Sequence, residues 1–135
     1  MTIFIIWYNK PMTDQKSVLV IDDDNALCGA LESKFLGKGY TVVVCKNGED
    51  AITAMNEQKF HVIMTDLHMP GKDGFAVLEE KAKTRNIETP AYVITNLGTD
   101  QYCDKAIGLG AKKCFVKSLI TLKEVVEVVD SELCA

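Results

Sequence analysis

The sequence predicts an α/β domain built on a parallel sheet. Three observations carry that prediction. Five short runs rich in β-branched residues are spaced along the chain, stretches of helical period separate them, and glycine, asparagine or proline marks most of the boundaries. The runs are almost continuously apolar rather than alternating, as expected of strands covered on both faces. At 135 residues, with 47% hydrophobic and 25% charged, the chain has the length and composition of one globular domain. A chain of this size buries roughly two-thirds of its unfolded surface, so its core needs no staple or metal.

In order, the first run is Ser17-Val18-Leu19-Val20-Ile21, followed by a helix in which Leu27, Leu31 and Phe35 recur at fourth positions. Gly37 and Gly39 close that helix, and Tyr40–Cys45 is the second run. Asn47-Gly48 turns into the second helix, and Phe60–Thr65 is the third run. Pro70, Gly71 and Gly74 punctuate the next loop, and Phe75, Leu78 and Ala82 repeat the helical spacing. Ala91–Thr95 is the fourth run, and Thr99-Asp100 is placed to cap the fourth helix, which Gly108 and Gly110 end. Lys113–Val116 is the fifth run, and Leu122, Val125, Val126, Val129 and Leu133 form one stripe on the last helix. Successive βα units imply right-handed crossovers with helices on both faces. Ligands of such folds bind beyond the carboxyl ends of the strands.

Composition excludes several function classes. The net charge is -4, Arg85 is the single arginine, and no basic cluster exceeds a lysine pair, so direct nucleic-acid binding is not expected. No apolar run approaches the ~20 residues that span a bilayer, and Ile3–Tyr8 lacks the flanks of a signal peptide, so no membrane role is expected. The five cysteines, Cys28, Cys45, Cys103, Cys114 and Cys134, contain no C-x-x-C and read as reduced thiols of a cytoplasmic protein. Residues 1–16 have no place in the βα alternation and read as an amino-terminal extension before the domain at 17–135. Met12–Lys16 looks like a natural start, which makes Met1–Pro11 an upstream extension. The rival reading is an ordered segment packed on a partner or a sheet edge.

The residues that follow the strands carry the chemistry. Asp22, Asp23 and Asp24 follow the first run, Asp66 the third and Lys117 the fifth, while Thr95 ends the fourth. All fall at one edge of a parallel sheet. Singly, a helix cap, a β-former and a solvated lysine would account for them; their coincidence at several strand ends is a different matter. Carboxylates about 4 Å apart repel by roughly 4 kcal/mol per pair at an effective dielectric of 20, so a proton, a lysine or a cation must offset them. Oxygen-only ligands suit Mg2+ (or Mn2+). A carboxylate beside such an ion, an ammonium and a hydroxyl can attack phosphorus to form an acyl phosphate.

These segments, Val18–Asp24, Asp66-Leu67-His68-Met69-Pro70-Gly71-Lys72-Asp73-Gly74, Thr95, and Gly110-Ala111 followed by Lys117, resemble the receiver domain of two-component response regulators. The resemblance spans about residues 17 to 133. It implies a flavodoxin-like three-layer αβα sandwich whose five parallel strands run in the order 2-1-3-4-5. It makes Asp66 the phosphoacceptor and Asp22 and Asp23 the acidic pair that holds Mg2+, together with Asp66 and the main-chain carbonyl of His68. Asp24 lies at the start of the first helix. Thr95 and Lys117 become the hydroxyl and the amine that meet the phosphoryl group. Such a domain catalyses its own phosphorylation and dephosphorylation and is not a turnover enzyme. Its phosphate comes from a sensor histidine kinase or a histidine phosphotransfer domain, and it signals to a downstream protein partner through the helix 4–strand 5–helix 5 face.

Three positions depart from that pattern. Lys117-Ser118 replaces the usual Lys-Pro, whose bond is cis. A cis bond before a non-proline residue costs about 2.5–4 kcal/mol, so either a trans bond with a rearranged turn or a strained cis bond is expected. Cys114 occupies the switch position, paired with Thr95, where an aromatic is common, and Phe115 faces the other side of the strand. His68, two past Asp66, reads as a solvent-facing residue that lends its carbonyl, with a rival role beside Leu97 in controlling water. His61, at the start of a buried run, reads as structural. The alternative function is a pseudo-receiver, a binding module that takes no phosphate. A phosphatase with its nucleophile in Asp22-Asp23-Asp24 leaves Asp66 and Met69-Pro70 unexplained.

Overall fold

A computed structural model of the chain describes residues 15–96 and 100–134. The strands are β1 (Ser17–Ile21), β2 (Thr41–Cys45), β3 (Val62–Thr65), β4 (Ala91–Thr95) and β5 (Ala111–Val116). Between and after them come α1 (Asn25–Gly37), α2 (Gly48–Glu57), α3 (Gly74–Lys81), α4 (Asp100–Gly108) and α5 (Leu122–Cys134). All strand pairs are parallel and the sheet order is β2-β1-β3-β4-β5, the flavodoxin-like arrangement that the resemblance implies.

The near-continuous apolar runs are explained by two separate cores. Every residue of β1, β3 and β4 is buried. Alternate side chains go to opposite faces. Leu19, Ile21, Ile63 and Val93 pack with Ala51, Met55, Val77, Leu78 and Ala106 of α2, α3 and α4. Val18, Val20, Val62, Met64, Tyr92 and Ile94 pack with Leu31 and Phe35 of α1 and Val125, Val126 and Val129 of α5. A buried aliphatic or aromatic side chain contributes about 1.5–3 kcal/mol.

Element ends differ from the sequence reading for local reasons. Tyr40 and Phe60 are buried but lie outside the strands: the Tyr40 N–H donates to the Phe35 carbonyl, and the Phe60 N–H donates to the Asn86 side chain at 2.7 Å. Helix α3 stops at Lys81, where tight turns take over (Lys83 N–H to Glu80 O, Thr84 N–H to Lys81 O), which leaves Ala82 exposed rather than on the buried stripe. Strand β5 begins at Ala111, two residues earlier than expected, and its pairing with β4 shifts between Ala91 and Tyr92. The Thr99 cap, Leu97 and residues 1–14 of the amino-terminal extension lie outside the described residues.

One reading is overturned. Cys103 and Cys114, expected as thiols, form a disulfide with their Cα atoms 5.5 Å apart. Cys28, Cys45 and Cys134 are free. A spacing of eleven residues gives no hint of the bond, because the pair meets only when Gly110, at φ +109°, returns the chain from α4 into β5. No helix among the described residues is long and apolar enough to cross a membrane.

Candidate functional site

The ladder places the cleft's main chain before any side chain is considered. One residue past the strands, the Asp22 N–H donates to Cys45 O (3.1 Å), the Asp66 N–H to Ile21 O (3.0 Å) and the Lys117 N–H to Thr95 O (2.8 Å). Each candidate residue is thus pinned to its neighbouring strand at the carboxyl edge. Gly74 lets the segment after Asp66 fold tightly, since a Cβ there would sit 2.1 Å from the Asp66 carbonyl oxygen.

Side chains close the arrangement. Asp22 is 1% exposed, Asp66 6% and Thr95 0%. The Lys117 ammonium bridges the two acids, donating to Asp22 Oδ2 at 3.1 Å and to Asp66 Oδ2 at 3.2 Å. The other oxygen of Asp66 is held by main chain: the Leu67 N–H donates to Oδ1 at 2.6 Å and the His68 N–H at 3.3 Å. Asp22 Oδ1 accepts from the Asp24 N–H at 3.0 Å. Beneath, the Cys28 thiol donates to the Asp22 carbonyl at 3.2 Å. Asp24 is the N-cap of α1 and accepts from the Ala26 and Leu27 N–H groups, so its carboxylate is committed to the helix.

The third carboxylate is Asp23, exposed, and one oxygen each of Asp22, Asp23 and Asp66 lies within 4.8 Å of the others. Asp24, His68, Thr95, Asn96 and Lys117 complete the wall of a cleft of about 210 Å³. Three carboxylates against one ammonium leave a formal charge of -2 in the cluster. Burial pushes the Asp22 carboxyl above its ordinary value, and the Asp66 charge adds to this; the Asp24 N–H and Lys117 do not fully offset it. Burial pulls the Lys117 ammonium down, but the Asp66 and Asp22 carboxylates outweigh it and hold it above its usual value. The Lys117 ammonium is thus stabilised by two carboxylates, while burial leaves the Asp22 carboxylate short of full compensation. Hard oxygen donors, an uncompensated negative charge and one exposed acid fit a small divalent ion.

The sequence-derived residues therefore meet: Asp22, Asp23, Asp66 and Lys117 by direct geometry, Thr95 and His68 as lining. The Lys117-Ser118 bond is trans, which decides between the two conformers left open. His61 bridges β1 and β3 at the opposite edge, its Nδ1 accepting from the Ser17 N–H at 3.1 Å, in keeping with a structural role. Cys114 stands in register with Val93 and packs on the α2–α4 side, while Phe115 stacks on Tyr92 across the sheet. As expected, Phe115 faces away. Sequence reasoning missed the Leu67 N–H, a main-chain donor that no residue type signals, and Cys103, whose partner lies across a turn.

The profile of the response regulator receiver domain matches residues 18–130. The transcriptional regulatory protein ZraR of Escherichia coli (strain K12) is 31% identical over 106 residues, 78% of this chain and 24% of that protein. The chain thus spans about a quarter of the length of that relative. The receiver domain of the Francisella response regulator 1452 superposes with a TM-score of 0.80 at 26% identity, covering 88% of this chain and 97% of that one. The BeF3-activated DrrB receiver domain gives 0.80 at 25% identity, over 90% and 99% of the two chains.

Proposed function

The chain belongs to the response regulator receiver domain family, and from that premise we propose that it accepts a phosphoryl group on Asp66 in a reaction dependent on Mg2+ or Mn2+. Asp22, Asp23, Asp66 and the His68 carbonyl would hold the ion, which when bound neutralises charge on the phosphoryl oxygens. The observation that carries the reading is the Lys117 ammonium seated between Asp22 and Asp66, with Asp23 alongside.

The chain's own groups have distinct tasks. The Leu67 and His68 amides fix Oδ1 of Asp66 and so aim the carboxylate, leaving Oδ2 toward the cleft. Oδ2 attacks phosphorus as the donor bond breaks in line, and the bonding pair leaves with the donor, as neutral imidazole from a phosphohistidine protonated on its other nitrogen or as carboxylate from an acyl phosphate. As Oδ2 becomes the bridging oxygen it loses its own charge, and the Lys117 ammonium can follow to the phosphoryl oxygens with little movement. Thr95 supplies a hydroxyl to a phosphoryl oxygen. Its main-chain carbonyl already holds the Lys117 N–H, so hydroxyl and amine are placed by one contact. Ordering of the segment after Thr95 is the route to the α4–β5–α5 face.

Within a cell the donor would be a sensor histidine kinase or a histidine phosphotransfer domain, in the cytoplasm. The output would be a protein partner, with no direct contact to nucleic acid by this domain and none to membrane. The test is intact mass after acetyl phosphate treatment. One phosphoryl group is expected with Mg2+, none with chelator, and none in Asp66→Asn. Incorporation that survives Asp66→Asn would refute the assignment, and a protein that neither gains mass nor binds the ion would be the pseudo-receiver module instead.

A further inference from the structure

Among the described residues, α4 is the helix with the fewest buried side chains. Of its residues only Ala106 is buried, against three or more on each other helix. Tyr102 stacks on Phe75 of α3 at 6.3 Å, and Lys105 lies 4.3 Å over the same ring, but these are partly exposed contacts worth little. Ala106 packs into the sheet core, and a covalent bond adds to that contact: Cys103, in the first turn of α4, is bonded to Cys114 on the edge strand β5. Cys114 stands two residues before Val116, which pairs with Thr95. The bond therefore joins the beginning of α4, close in sequence to the cleft residue Asn96, to the strand that ends at Lys117. Both cysteines are only half-buried, so a reductant can reach them.

We propose that Cys103 and Cys114 form a reversible dithiol–disulfide pair, opened by a cellular dithiol reductant, that sets whether α4 is pinned to β5 or free. A thiolate of the reductant attacks one sulfur, the S–S bond breaks and the other cysteine leaves as thiolate. The reductant's second thiol then attacks the mixed disulfide. Two electrons pass to the protein, which takes up two protons, and the reductant leaves as its own disulfide. In a compartment that keeps thiols reduced, a bond of this kind is transient and regulatory rather than a structural staple. Resting on the reading of Asp66 above, the consequence is that α4 answers the phosphoryl group only in the reduced state.

The experiment is hydrogen exchange of the full chain, oxidised with diamide or reduced with dithiothreitol, each with and without beryllium fluoride and Mg2+. Alkylation after denaturation counts the thiols: three free in the oxidised protein, as the structure has them, and all five after reduction. Reduction is expected to speed exchange of the α4 amides roughly tenfold or more while β1 and β3 stay protected. Cys103→Ser, left unreduced, should match the reduced protein, and chemical reduction of the unmodified chain decides the matter should that variant fold poorly. Beryllium fluoride should then alter α4 exchange in the reduced protein alone. Identical α4 exchange in the two redox states, or failure of the thiol count to fall on oxidation, overturns the pair. Freed α4 amides on reduction with no beryllium fluoride effect in either state keep the pair and refute the Asp66 reading instead.

Discussion

The two edges of the sheet both bury polar groups, and they do so in opposite ways. At the amino edge Asn86, 0% exposed, donates to the Met55 and Gln58 carbonyls and accepts from the Phe60 N–H and the Thr89 hydroxyl. Beside it the buried Lys81 ammonium, which desolvation pulls below its ordinary value, donates to the Asn86 and Ile87 carbonyls. Most of those partners are main chain, fixed by the fold. At the carboxyl edge main chain holds only one oxygen of Asp22 and of Asp66; their other oxygens share the Lys117 ammonium, and the balance is negative. A partner that is a charged side chain can rotate away to admit another ligand; a main-chain carbonyl cannot move without its segment. The difference separates a polar cluster held by the fold's main chain from one that carries an unbalanced charge.

Perturbing each edge should therefore move different observables. The largest effect is expected from Asp66→Asn, with complete loss of phosphoryl incorporation by mass and little change in thermal stability. Asn86→Ala should do the reverse: it strips partners from several buried groups, each worth about 1–3 kcal/mol, so a loss on the order of 4 kcal/mol is expected by urea unfolding. Phosphorylation of the folded fraction should be retained. A loss of stability in Asp66→Asn as large as in Asn86→Ala would erase the distinction. Opening the Cys103–Cys114 loop should cost at most about 3 kcal/mol on the chain-entropy account, read as a lower urea midpoint under dithiothreitol.

Two smaller effects sharpen the contrast. The Asp22 carboxyl is held above 3.8, so its ionisation opposes folding: the favourable contribution is present below pH 3.8 and lost as pH rises through the folded-state value. Asp22→Asn should thus stabilise the chelated protein at neutral pH, lose that advantage below pH 3.8, and weaken ion binding in titration calorimetry. A destabilised variant at neutral pH would mean that Lys117 alone balances the site. At the amino edge, Tyr40→Phe removes the 2.7 Å donation to Asp130 and should cost about 1 kcal/mol, with no effect on the cleft.

How much of this was legible in the residues depends on whether the signal was local. Gly39 and Gly110 take positive φ where the chain leaves α1 and α4, and Asn47 caps α2 by accepting from the Asp50 N–H, as their types suggest. The five strands and the carboxyl-edge placement of Asp22, Asp66, Thr95 and Lys117 could be read in the same way, since a parallel sheet puts the residue after each strand on one side. Ala82 was misplaced because the spacing of apolar residues does not say where Lys81 will turn the chain.

By itself the sequence determined which residues stand at which edge, because strand period and polarity are properties of short segments. Only the tertiary structure decided which of them touch. Lys117 sits between Asp22 and Asp66 at separations of 95 and 51 residues, the Leu67 amide rather than a side chain steadies Asp66, and Cys103 finds Cys114. The physical reason is the same in each case: these contacts depend on how α4, β5 and the β3–α3 loop pack on the sheet, and packing sums many weak interactions that no single segment encodes.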